Sequence, residues 1–315
     1  MEYDPKASIG NARVFAEGLQ FPEGPVAMAD GSLWLVEIQR QTITRLDPSG
    51  GAEIIAELPG GPNGMAIGPD GSLYICNNGG FLFRKDSGLT RTLPGTHEGY
   101  EGGWIEKVST DGSRREVLYD RCGEHRLVGP NDIVFDAHGG FYFTDFGKMY
   151  PRSRALGGLY YALADGSKIV EIAFPMIHAN GVGLSPDGTT LYASETETGR
   201  VWAFDLDAPG VIRRQPFPSP HGGRILLTMP GYQRLDSLAV DAAGNICVAT
   251  LMSGCITVIS PAGEILRQVP SGDPITTNIC FGGPDMRTAY VTLSGTGRVI
   301  VMDWPEPGLR LAHTV

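Results

Sequence analysis

The sequence predicts an all-β fold: a six-bladed β-propeller of four-stranded antiparallel blades, closed by an N-terminal strand and occupying residues 1–315 as a single domain. Three observations predict it. First, one unit recurs six times, opening at Phe21-Pro22-Glu23-Gly24, Gly61-Pro62-Asn63-Gly64, Gly129-Pro130-Asn131-Asp132, His178-Ala179-Asn180-Gly181, Arg234-Leu235-Asp236-Ser237 and Thr276-Thr277-Asn278-Ile279. Second, the oxygen-bearing residues at the shared position stand 40, 68, 49, 56 and 42 residues apart. Such periods mark solenoids, propellers or arrays, and six units give about 52 residues each, the size of a four-stranded blade. Third, glycine makes up 44 of 315 residues, about twice its usual share, which suits a chain of tight hairpins.

Each element follows in order. The first strand of every unit is short and apolar, over 26–28, 65–67, 133–135, 182–184, 238–240 and 279–281. Turn chemistry follows at Asp30-Gly31, Asp70-Gly71, His138-Gly139-Gly140, Asp187-Gly188, Ala243-Gly244 and Pro284-Asp285, because glycine tolerates positive φ and Asp bonds its own backbone. Aromatic and β-branched return strands fall at 33–36, 73–76, 141–143, 191–193, 246–248 and 289–291. Third strands are legible at 42–46, 104–108, 158–161 and 255–259, and an outer strand at 116–119. No amphipathic helix is expected. The segment 12–16 is an outer strand without a blade of its own, and pairing it with the last blade would close the ring and remove a sheet edge. The tail at 310–313 competes for that role.

Two stretches exceed a minimal blade, 79–102 and 146–157. Both lie between second and third strands, which places them over the face where the polar repeat residues sit. Long loops there are expected to form a lid or to set specificity.

Bulk properties exclude several classes. A net charge of −10 argues against nucleic acid, whose binders need a clustered basic surface. No run approaches 18 apolar residues, and Met1-Glu2-Tyr3-Asp4-Pro5-Lys6 carries no apolar signal region, so a cytoplasmic protein with no membrane partner is expected. The five cysteines include no Cys-x-x-Cys; Cys76, Cys247 and Cys280 read as core residues of buried strands.

Closing the ring would gather Glu23, Asn63, Asn131, Asn180, Asp236 and Asn278 around one axis. Two carboxylates and four carboxamides, with no His or Cys in register, suit a hard divalent cation, and calcium, which accepts irregular oxygen arrays, fits better than octahedral magnesium. Taken singly, Asn63 or Asn180 is an ordinary turn residue. Filling six aligned positions from 35 acidic residues and eight Asn favours a site, as does Glu23, a poor turn residue. There is no Gly-x-Ser-x-Gly elbow, His-Glu-x-x-His, phosphate loop or dinucleotide fingerprint. His97, Tyr100 and His178 are further candidates for the substrate wall.

The openings 21–25, 62–66, 130–132, 179–182 and 235–241, with the late Phe281-Gly282-Gly283-Pro284-Asp285, resemble the gluconolactonase/regucalcin (senescence marker protein) family. That resemblance implies a six-bladed propeller with a divalent metal at one end of its channel, Glu23, Asn131, Asn180 and Asp236 as ligands, and Asn63 and Asn278 behind them or facing substrate. Two positions depart from the family pattern. Gly129 stands where a substrate-contacting Arg is found, and Ser237 replaces a common Gly. The function expected is metal-assisted lactone hydrolysis, with Asp236 doubling as ligand and general base. The alternatives are an arylesterase or phosphotriesterase, since diisopropylfluorophosphatase and the paraoxonases resemble this architecture; a metal-free strictosidine-synthase-like propeller; and a non-enzymatic binding propeller.

Overall fold

The computed structural model describes residues 11–313, and every regular element in that span is a strand. Met1–Lys6 therefore lies outside the described residues. Six antiparallel sheets form the blades, accompanied by three two-stranded hairpins. Blade 1 contains Pro22–Ala27, Leu33–Glu37, Thr42–Leu46 and Ala52–Glu57, and blade 2 contains Pro62–Ile67, Leu73–Asn77, Trp104–Val108 and Arg115–Tyr119. Blade 3 is Pro130–Phe135, Gly140–Asp145, Gly157–Leu163 and Ile169–Met176. Blade 4 is Ala179–Leu184, Thr190–Glu195, Arg200–Ala208 and Arg224–Thr228, with Val211–Ile212 also paired to its third strand. Blade 5 is Leu235–Val240, Ile246–Thr250, Cys255–Ile259 and Ile265–Pro270.

Blade 6 is the composite one. Thr276–Gly282, Thr288–Leu293 and Arg298–Asp303 take Arg13–Glu17 as their outer strand. Arg13 pairs with Val301 and Glu17 with Arg298, so the N-terminal segment closes the ring. The C-terminal tail does something else. Gly308 bridges Asp241 of blade 5, and Leu309, Leu311 and His313 then line the other end of the channel, a space that Asn278 alone of the polar repeat residues also borders.

Packing explains the closure. Inner strands such as Pro62–Ile67 and Pro130–Phe135 are buried throughout, whereas outer strands such as Ala52–Glu57 and Arg115–Tyr119 are mostly exposed. The core is divided into six apolar clusters, one at each interface between neighbouring blades. Each blade thus buries both faces against neighbours, and the six inner strands contact one another in a cycle. Cys76 and Cys247 are buried as expected, but Cys280 is only half-buried, and all five cysteines are free.

The inner strands begin earlier than their apolar runs suggest, at or just before the polar repeat residue. In all six the register with the second strand slips at this point, as at Glu23/Val26, Pro62/Met65, Pro130/Ile133, Ala179/Val182, Leu235/Leu238 and Thr276/Asn278. A β-bulge re-aims a side chain and leaves a backbone group unpaired. Six bulges at one repeat position therefore turn six polar side chains out of the regular pleat.

Candidate metal centre

In blades 3 and 4 a hydroxyl of the second strand satisfies a backbone group that the bulge leaves. The N–H of Asp132 donates to Thr144 Oγ1 at 3.1 Å, and Thr144 Oγ1 in turn donates to the backbone oxygen of Asn180 in the next blade. Likewise the Gly181 N–H donates to Ser194 Oγ at 2.8 Å, and that hydroxyl donates to the Asp236 backbone oxygen at 2.7 Å. Ser294 Oγ donates to Pro22 O at 2.6 Å, carrying the relay from blade 6 to blade 1. A hydroxyl both accepts and donates, so one side chain anchors its own bulge and the neighbouring donor strand.

A second repeated device fixes the approach to four of the donors, Glu23, Asn63, Asn131 and Asn180. Glu37 accepts the Gln20 N–H at 2.6 Å, Asn77 Oδ1 accepts Gly61 N–H at 2.7 Å, Asp145 accepts the N–H groups of Val128 and Gly129 at 2.7 Å, and Glu195 accepts Ile177 N–H at 2.7 Å. These four residues end the second strands. Sequence reasoning missed them, although a signal existed: they stand 14 residues after Glu23, Asn63 and Asn131 and 15 after Asn180.

The glycines after three donors have a reason other than turn formation. A Cβ on Gly64 would lie 2.4 Å from Asn131 O and 2.7 Å from Asp132 Cα, and one on Gly24 would lie 2.4 Å from Asn63 O. Glycine here allows adjacent inner strands to approach closely at the ring.

At the donor end lies a cavity of about 290 Å³, lined by Glu23, Asn63, Asn131, Asn180 and Asp236 among others. Five of the six aligned residues thus face one space. The sixth, Asn278, sits behind Glu23 and donates from Nδ2 to Glu23 Oε2 at 2.8 Å. Asn180 Nδ2 donates to Thr196 Oγ1 at 3.0 Å, and its Oδ1 lies 3.4 Å from Ser237 Oγ. Asn131 Oδ1 is buried with no hydrogen-bond partner. Such an orphaned acceptor carries a desolvation cost and calls for an explanation.

The electrostatics agree. Burial raises the Glu23 carboxyl above its ordinary value, against the opposing hydrogen bonds of Asn278 and Gly24. Asp236 keeps some surface open to the cavity, yet burial, and then the charge of Glu23, push it well above the carboxylate range. A third acid, Asp132, was not singled out in the sequence. It lies beside Asn131, accepts Val182 N–H at 3.2 Å, and is pushed up to about 7 by burial and then by Glu23. Burial and mutual repulsion thus act on three acids in one place, an arrangement that favours their neutral forms or a bound cation. Among the described residues no three His, Cys, Asp or Glu side chains form a metal-binding group; the cluster here rests on carboxamides as much as on acids.

The two insertions roof this cavity. The hairpin Leu82–Asp86/Leu89–Leu93 leaves blade 2 and reaches the far side of the mouth, where Phe83 packs 5.1 Å from Phe21 and Thr90 N–H donates to Gly295 O at 2.7 Å. Gly95 N–H donates to Met149 O at 2.8 Å, tying it to the blade 3 insertion. Phe81, Arg91, Thr92, Leu93, Phe146 and Lys148 supply wall. Lys148 is buried, and that burial lowers its ammonium to about 7 against the attraction of Asp145. Arg152 and Arg154, grouped with it in the sequence, are exposed.

The three other candidate wall residues sit outside the lining. His97 is held by Gly79 O at 2.6 Å and Glu98 O at 2.7 Å, and the Tyr100 hydroxyl donates to Val128 O. Both brace the insertion. His178 is buried, stacks on Phe146 at 4.3 Å and lies 3.7 Å from Glu197, so it touches the wall from behind.

A family model described as SMP-30/gluconolactonase/LRE-like region matches residues 21–295. The chain is 28% identical over 304 residues to the lactonase drp35 of Staphylococcus epidermidis, covering 95% of this chain and 81% of that protein. It is 30% identical over 255 residues to the lactonase drp35 of Staphylococcus saprophyticus, covering 80% and 70%, and 27% identical over 298 residues to a gluconolactonase of Zymomonas mobilis, covering 85% and 75%. Two solved structures, a gluconolactonase from Xanthomonas campestris and a regucalcin from Agrobacterium tumefaciens, each superpose with a TM-score of 0.72 over 95% of this chain. Coverage is 92% of the former at 21% identity and 97% of the latter at 20%; the likeness is one of fold. With 275 consecutive residues matched and the repeat geometry in place, the chain belongs to the SMP-30/gluconolactonase/LRE-like family.

Proposed function

We propose that this protein hydrolyses small lactones at a divalent cation, Ca²⁺ being the best match, held by Glu23, Asn131, Asn180 and Asp236. The observation that carries this is the buried, partnerless Oδ1 of Asn131 in the cavity that Glu23 and Asp236 also line, two acids whose carboxyls burial pushes up. An all-oxygen donor set suits a hard cation, and the curated relatives named lactonase and gluconolactonase support the reaction class. The cavity sits near the lower end of small-ligand pockets, about 300–1,000 Å³.

When bound, the cation supplies a Lewis acid for a lactone carbonyl and charge stabilisation as water adds. The chain's own residues do the rest. Asn278 holds Glu23 in place through Nδ2, and Thr196 fixes the Asn180 carboxamide. Asn63 faces the cavity from blade 2 and is assigned to the substrate. The roof of Phe81, Leu93 and Phe146 limits bulk water around the reacting ester. Asp236, open to the cavity, is assigned as the base that takes a proton from the attacking water.

The test is metal analysis of purified protein with turnover of a lactone, an aryl ester and a phosphotriester before and after chelation. One tightly held divalent ion and chelator-sensitive lactone opening are expected. Protein that is free of metal, or equally active after chelation, removes the proposal. Asp236→Asn that retains both its ion and its kcat removes the base role alone.

A further inference from the structure

We propose that Lys148 selects lactones bearing a carboxylate remote from the reacting carbonyl. This deepens the lactonase reading above and rests on it for the reaction, while the carboxylate recognition itself stands on this chain's own geometry.

Three cationic side chains line the cavity: Arg91, Lys148 and Arg234. Arg91 pairs with Asp86 at 3.3 Å, and Arg234 pairs with Glu197. Lys148 has no carboxylate within ion-pair distance among the described residues, yet its exposure is only 1%. Its Nζ donates to Gly80 O at 2.7 Å and lies 4.1 Å from the Phe81 ring centre and 5.2 Å from that of Tyr100. The acid that influences it most, Asp145, is already engaged by the N–H groups of Val128, Gly129 and Gly147. An ammonium has three donors, and Gly80 uses one. The other two find no hydrogen-bond acceptor among the described residues, only the faces of Phe81 and Tyr100, and buried charges are ordinarily paired.

The occupant must satisfy both poles of this space. Its floor is the ring of acids and carboxamides, reserved for a cation and an ester carbonyl. Its wall is an ammonium framed by aromatic faces. A small ligand with a lactone at one end and an anion at the other matches both. A carboxylate is the smaller anion, and it suits a single ammonium in a cavity of about 290 Å³ whose two guanidinium groups are already paired with Asp86 and Glu197.

Lys148 also has a bland role open to it, stapling the roof through Gly80. A staple acts on every substrate alike, and that separates the two. The probes are D-glucono-1,4-lactone and D-glucaro-1,4-lactone, which share a ring and differ in a terminal hydroxymethyl or carboxylate. For wild type, Lys148→Met and Lys148→Arg, kcat/KM is measured on both with cation present. Calorimetry measures the binding of gluconate and glucarate to the same proteins with and without cation. Wild type should favour the carboxylate-bearing lactone, and Lys148→Met should lower that preference about tenfold to a hundredfold, the range of a lost hydrogen bond to a charged group. Lys148→Arg should recover part of it, and glucarate binding should weaken in parallel. An unchanged preference in folded Lys148→Met, or an equal loss on both lactones, overturns the proposal. If wild type opens neither lactone, the lactonase reading fails. Glucarate binding then decides alone: weaker binding in Lys148→Met upholds the carboxylate site, and equal binding ends it.

Discussion

The two ends of the central channel are made by the same six strands and differ in what those strands contribute. At one end the strands open with Glu23, Asn63, Asn131, Asn180 and Asp236, the polar floor of a cavity with a largely apolar wall. A few residues later they supply Ile67, Val134, Val240 and Phe281 to an apolar space of about 120 Å³, closed by Leu309, Leu311 and His313 of the tail. The difference comes from one local irregularity repeated six times. The bulge breaks the alternation of a strand whose every side chain would otherwise serve packing. The apolar end needs only volume and hydrophobicity. The polar end needs hydroxyls, glycines and strand-end acids to hold the bulges open.

The largest effect expected from this contrast is at the donors. Glu23→Gln and Asp236→Asn should each lower kcat by about 10²–10³-fold, the scale of losing an electrostatic contact to the developing oxyanion. Calcium at 100 times its dissociation constant should stabilise wild type by about 2.7 kcal/mol, visible as a rise in Tm. The two variants should show little or none of that rise. Gly64→Ala comes next. Its Cβ would meet backbone of the neighbouring blade, so a loss of about 1–3 kcal/mol in denaturant unfolding is expected, together with weaker binding of the cation.

Ser194→Ala removes the acceptor for the Gly181 N–H and the donor to Asp236 O. It should cost about 1–3 kcal/mol as buried groups lose partners, and Ser194→Thr should restore most of it. Lys148 gives a pH-dependent effect. Its native ammonium titrates near 7, below the lysine value of about 10.4 in the unfolded chain. The unfolded state therefore holds more protons between those values, and this residue makes wild-type stability climb with pH across that window. Lys148→Met should lack the climb and melt about 2–4 °C higher at pH 7 for each kcal/mol gained. The smallest effect belongs to the apolar end, where Ile67→Val should cost about 0.5–1.5 kcal/mol and leave the calcium-induced rise in Tm as it was.

Much of the fold was legible because propeller blades repeat their chemistry in sequence. The hairpin turns, the buried return strands and the unpaired strand before the first unit each carried a local signal. The starts of the inner strands did not. Pro62-Asn63-Gly64 looks like a turn from its residues alone, and only the neighbouring blade shows that Gly64 serves close approach. Aligned positions were likewise enough to suggest a shared axis for the donors. They were not enough to separate Asn278, which is turned onto Glu23, from the five that line the cavity. The burial of Lys148 left no local signal, since burial of a single side chain depends on roof contacts from another insertion.

The hydrogen bond from Asn278 to Glu23 spans 255 residues, and that from Ser294 to Pro22 spans 272. During synthesis the chain emerges N-terminus first. Blade 1 must therefore wait for blade 6 before Glu23 is fixed, and the strand at Arg13–Glu17 can add only after Arg298–Asp303 has left the ribosome. The proposed seat for a cation is thus assembled only after the sixth sheet has been made and the circle shuts. A nascent protein offers its isolated acids to solvent, and the proposed seat stays unfinished until the sixth sheet arrives.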